Sequence, residues 1–197
     1  MERKLMEQFM LKVTIPHYEK NDKGRLWDAI WRAHRDVMTG ARTGKLKNYS
    51  RQTKDKGLEN PAVNALYDIV IQCKNEALTS EKLIANLKSQ LESDTEFGAI
   101  QKLVNMSLKY ILLLNEFDNE FHIDIDEKGC ECPIDSIILA KLKTQNNKLH
   151  QPWTTMEKEE YDTIQEEIKK ELHKKVSTEC SNLYFDFKNW SMPPFHP

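Results

Sequence analysis

Apolar residues recur along this chain mostly at helical spacing. In "RLWDAIWRAHRDVM", after Gly24, the residues Leu26, Ile30, Ala33 and Val37 share one side, with Trp27 and Trp31 beside them. The glycines of "TGARTG" suit its end. "ENPAVNALYDIVIQCKNEA" predicts a second helix, with Asn60 as cap, Pro61 at the first helical position, and Ala62, Leu66, Ile69 and Cys73 facing a core. "TSEKLIANLKSQL" predicts a third, capped by Thr79 or Ser80, with Leu83, Leu87 and Leu91 on one side. A long helix through "FGAIQKLVNMSLKY" follows, capped by Asp94 or Thr95. "NEFDNEFHIDIDEKGCEC" is a turn-rich connection, and its brief alternation at "FHIDI" allows a short extended piece. "CPIDSIILAKL" predicts a helix with Cys132 near the cap and Pro133 at the first position. "QPWTTMEKEEYDTIQEEIKKELHKK" predicts another, capped by Thr154 or Thr155, with Met156, Tyr161, Ile164, Ile168 and Leu172 on its face. "CSNLYFDFKNW" predicts a last short helix bearing Leu183, Phe187 and Trp190, before a tail, "SMPPFHP", that cannot be helical. The expectation is an all-α fold, six or seven helices in a compact orthogonal-type bundle with essentially no sheet. It forms a single domain over 1–197, with N-terminal helices in 20–92 and central and C-terminal helices in 94–192.

The long helix stands apart. Phe97, Ile100, Leu103, Val104, Met106, Leu108, Ile111, Leu113 and Leu114 cover well over half of its circumference. Gln101, Lys102, Asn105 and Lys109 fall together in one narrow polar sector. A helix apolar over such an arc is central in its domain. Its polar stripe has two readings. It is the strip that reaches water, with the lysines snorkelling, or it lines a cleft. In a cleft, a shielded lysine has its ammonium form disfavoured, as an amine nucleophile requires.

Composition narrows the classes. The 197 residues are 39% apolar and 30% charged, a balance that excludes a disordered or membrane-embedded chain. No apolar run approaches the roughly 18 to 20 residues of a spanning helix; the longest is "YILLL". "MERKLMEQFMLKV" lacks the features of a leader, so the expected location is cytoplasmic, with no membrane partner. The net charge of −2 argues against a generic polyanion binder. Yet "GARTGKLKNYSRQTKDKG" sets six cations, Arg42, Lys45, Lys47, Arg51, Lys54 and Lys56, against Asp55 alone, a net of +5. That stretch reads either as a solvated loop or as a phosphate-contacting arm. The glutamate-rich run 157–171 reads as an exposed helix face. Cys73, Cys130, Cys132 and Cys180 read as reduced thiols. "CEC" has only His122 and His150 near it, without zinc-ligand spacing, so no metal or cofactor is expected. His34, among the charges of "AHRD", reads as a lone surface histidine, and no Walker loop, G-x-S-x-G or H-E-x-x-H occurs.

Asp135, opening its helix two residues after Pro133, is held ionised by the free amides and dipole there. With "QK" at 101–102 and "PID" at 133–135, the pattern resembles the core of the helix-hairpin-helix DNA glycosylases. The separation of 33 residues between Lys102 and Asp135 is most similar to the archaeal 8-oxoguanine glycosylase branch. The likeness spans roughly 94–192. Ile100 stands where the family's hairpin has a glycine, Gly98 remains, and Ile137 stands where a histidine often follows the aspartate. The stretch is also similar to small bacterial helical proteins of no assigned role. The glycosylase resemblance implies Lys102 as nucleophile at the sugar C1′ of a flipped nucleotide and Asp135 as its support. Gln101, Asn105, Lys109, Trp153 and Trp190 become candidate substrate contacts, with Phe187 a further stacking candidate, and the basic arm a candidate DNA contact. The competing class is a non-enzymatic helical accessory factor that binds a protein or nucleic acid through its basic loop and aromatic tail. Oligomeric state is not written in the sequence.

Overall fold

The computed structural model describes residues 22–40, 60–73, 75–91, 95–117, 121–143, 152–175 and 181–191. Among them are seven α-helices: α1 (Asp22–Gly40), α2 (Pro61–Gln72), α3 (Ser80–Gln90), α4 (Phe97–Phe117), α5 (Ser136–Lys143), α6 (Lys158–Lys175) and α7 (Leu183–Ser191). The all-α expectation is met, and no described helix is long and apolar enough to cross a membrane. The arm 41–57 with its six cations lies outside the described residues, as do Cys180 and the side chain of Trp190.

Local chemistry sets the helix starts. Asn60 Oδ1 accepts from the N–H groups of Ala62 and Val63, and Pro61 takes the first position of α2. Thr79 caps α3 by accepting from Lys82 N–H. Thr154 and Thr155 do not cap α6; they form a 3-10 turn, Trp153–Thr155, and α6 starts at Lys158.

Helix α4 is the axis. Every residue from Phe97 to Ile111 is buried. α1 packs along it, α3, α6 and the Trp153–Thr155 turn lie against it, and α2 bridges α1 and α3. Gly98 permits the closest of these approaches. A Cβ there would lie 1.9 Å from the Trp153 carbonyl oxygen. The connection 121–135 crosses this core without a sheet. Its "FHIDI" piece makes one isolated parallel bridge, Leu78 to Ile125.

His34 is not a surface residue. It is 1% exposed, and its ring stacks at 5.3 Å on Trp31, which stacks at 5.4 Å on Trp27. The sequence shows charges around His34, but α2 covers its face. Asn60 uses its oxygen for capping, so its Nδ2 faces His34 Nε2 at 3.2 Å. Nε2 therefore accepts, and the ring proton sits on Nδ1. Burial lowers this imidazole's pKa to about 4.

Two outcomes are expected. Gly98→Ala forces a methyl into a backbone carbonyl and should cost about 3 kcal/mol in urea unfolding, with Ala99→Gly, which adds no atoms, as the control. The unfolded chain protonates His34 near 6.5 and the folded chain only near 4. His34 thus contributes its full stability above pH 6.5 and loses about 3 kcal/mol of it as pH falls through that window. The stability gap between wild type and His34→Gln should close over the same range.

Candidate functional site

The polar stripe of α4 is almost wholly withdrawn from water. Gln101, Lys102, Asn105 and Lys109 are all buried, which overturns the snorkelling reading. The stripe is covered by the irregular segment 130–135 and by α6 and α7. Gln101 explains how that segment can lie there. Its Nε2 donates to Ile134 O at 2.9 Å, and Ile134 N–H donates to its Oε1 at 3.1 Å. Gln165 of α6 does the same for Cys132, at 3.1 and 2.7 Å. Asn115 does so for Ile123, at 3.0 and 2.7 Å. Three carboxamides thus satisfy both backbone groups of three residues in a connection that has no ladder. Ser80 Oγ takes Glu131 N–H at 2.8 Å. Asn105 donates to Tyr161 Oη at 2.8 Å, and Tyr161 donates to Glu131 Oε2 at 2.6 Å.

Asp135 ends this tied segment. It lies one residue before α5 and is its N-cap, whereas the sequence placed it inside the first turn. Pro133 precedes the helix altogether. Asp135 Oδ1 accepts from Ile137 and Ile138 N–H at 2.9 and 3.0 Å. Its other oxygen faces Lys102 Nζ at 3.5 Å, and both side chains are over nine-tenths buried. The ammonium lies 4.6 Å from the centre of the Trp153 ring, a cation–π contact.

The same arrangement recurs two turns along α4. Lys109 Nζ meets Asp186 Oδ2 at 2.5 Å and lies 5.2 Å over the Phe187 ring. Burial pushes the Asp186 carboxyl above the usual range, while Lys109 pulls it back. Asp135 and Lys102 act on Asp186 as well, so the four charges form one buried cluster. Cys132 lies within it, its thiol raised well above the ordinary value by burial and by Asp186 and Asp135. Cys130 is also buried, and its thiol is pushed up to about 12, chiefly by burial.

The structure therefore brings Lys102, Asp135 and Trp153 together, with Gln101, Asn105 and Lys109 on the same stripe. Gln101 is fully used in holding the backbone, since its second donor bond goes to Gly98 O. Sequence reasoning missed Asp186 and Gln165. Each had a signal: Asp186 shares the apolar side of α7 with Leu183, and Gln165 sits among Ile164, Ile168 and Leu172. A polar residue within an apolar stripe is one that needs a buried partner. No group of His, Cys, Asp and Glu among the described residues could hold a metal ion. Compared with protein-family models, curated proteins and solved structures, the chain matches none.

Removing one member of a buried pair strands the other. Lys109→Met should therefore cost about 3–5 kcal/mol in urea unfolding. The double variant Lys109→Met/Asp186→Leu should recover most of that loss.

Proposed function

We propose that the protein is a lysine-dependent DNA N-glycosylase with lyase activity, acting on a nucleotide flipped out of the stack. The observation that supports this reading is the pairing of Lys102 with Asp135 at 3.5 Å in a shielded setting beneath an aromatic ring. An amine nucleophile needs a nearby group to take its proton and must be kept from bulk water. Asp135 Oδ2 is that group. Its Oδ1 stays fixed by the α5 amides, so the carboxylate holds its orientation while the proton moves.

The reaction then runs in balanced steps. Lys102 passes a proton to Asp135. Its free amine attacks C1′, the C1′–N bond breaks, and the base leaves with the bonding pair and takes up a proton. The C1′–O4′ bond then breaks, O4′ keeping the pair and taking the amine's proton, to give a Schiff base between C1′ and Nζ. Loss of a C2′ proton expels the 3′-phosphate by β-elimination, and water hydrolyses the imine to release Lys102. The departing base takes the proton that Asp135 had received, and the carboxylate so restored opposes the positive charge that develops on the sugar. Trp153 stands over Lys102, so an incoming base displaces its ring or stacks on it. The basic stretch 40–57 supplies the phosphate contacts. The chemistry needs no metal or cofactor.

One observation favours a second reading. Lys109, Asp186 and Phe187 repeat the Lys102 arrangement, as expected if both pairs only fasten α5 and α7 to α4. The protein would then be a non-enzymatic helical accessory factor that binds protein or nucleic acid.

Borohydride trapping separates the two. Duplex and single-stranded DNA carrying an abasic site or 8-oxoguanine should give a covalent adduct with wild type and with Lys109→Gln. The adduct should vanish with Lys102→Gln and fall by about two orders of magnitude with Asp135→Asn. No adduct on any of these substrates, or one that survives Lys102→Gln, discards the lysine mechanism in favour of the accessory factor.

A further inference from the structure

A cleft of about 410 Å³ opens between the 3-10 turn Glu127–Gly129, the start of α3 and the outer face of α6. This volume suits a small molecule. Its buried wall offers little that is free to bind. Gln165 is occupied by Cys132 and Asn182, and the Cys130 thiol is neutral. Glu131 is different. It is half-buried, and burial raises its pKa. Its side chain accepts a bond from the neutral Tyr161 hydroxyl. Asp135 and Asp186 each have a lysine, but no cation among the described residues lies within ion-pair distance of Glu131. The cation that acts on it, Lys158, is paired with Asp162 at 2.5 Å. A carboxylate withdrawn from water without a cation is costly, and a ligand's ammonium would offset that cost.

The rest of the lining restricts the ligand further. No Phe, Tyr or Trp among the described residues lines the cleft, and the exposed His173 ring alone gives a planar base or aromatic side chain little to stack on. Glu81 and Glu166 add negative charge at the opening. Lys169 and His173 stand one turn apart on α6, with Lys128 beside the cleft, and these exposed bases suit an anionic group.

We propose that this cleft binds a small aliphatic zwitterion of the amino-acid class, with its ammonium on Glu131 and its carboxylate toward Lys169 and Lys128. The site is independent of the reaction proposed at Lys102.

Calorimetric titration of the full chain with the L-amino acids, one at a time, tests this. At least one aliphatic member should bind. Its N-acetyl derivative and putrescine, which lack the ammonium and the carboxylate respectively, should bind at least about tenfold more weakly. Glu131→Gln, which keeps an acceptor for Tyr161, should weaken binding about tenfold or more. Lys169→Gln, on an exposed face, should weaken it severalfold and serves as the second arm if Glu131→Gln does not fold. Failure of every amino acid to bind wild type overturns the proposal. So does binding unchanged in whichever of these variants folds, or putrescine binding as tightly as the amino acid.

Discussion

A stretch of chain buried without a sheet must find partners for its N–H and C=O groups elsewhere, because each one left bare costs on the order of 1–3 kcal/mol. The segment 130–135 meets this demand through side-chain amides. Gln101 serves Ile134 and Gln165 serves Cys132, while Ser80 accepts from Glu131. Everything else in the candidate site depends on that arrangement. The segment covers the α4 stripe and sets the Glu131 and Asp135 side chains at its two ends. Gln101 is therefore a structural residue first, although it adjoins Lys102 in sequence.

The two buried ion pairs bear on function in opposite directions. A buried pair is weak evidence for added stability, since removing two charges from water offsets much of their attraction. A lysine and an aspartate kept in that state therefore invite a chemical explanation, and Lys102 with Asp135 has the elements of one. The Lys109–Asp186 pair has the same build and no assigned chemistry. What distinguishes them is the second duty of Asp135, which also caps α5. Its carboxylate is held from two sides, whereas Asp186 leaves Oδ1 without a partner among the described residues.

What could be read from the sequence was local. The Asn60 and Thr79 caps and the faces of α1, α2 and α3 depend on residues a turn apart, and they stand as expected. The narrow polar sector of α4 was visible too, but not whether it met water. That depended on a connection with no periodicity, whose hold on the helix goes through backbone atoms common to every residue. His34 failed for the same reason. Its sequence neighbours are charged, yet its face is decided by Asn60 and Trp31. Asp135 stands out through its neighbours Pro133 and Ile134, but a helical Pro133 shifts the expected cap from Asp135 to Cys132.

The carboxamide clamps have a consequence for how this chain can vary. Gln101 and Gln165 each read a residue 33 positions away, and they read its main chain rather than its side chain. The clamps thus leave the side chains between 131 and 134 to be set by burial, which holds Cys132 and Ile134, while they fix the count themselves. Inserting or deleting a single residue there would set one clamp out of step with the other and carry Asp135 off Lys102. Among descendants of this fold, the segment should exchange its buried residues only for others of like size and hold its length.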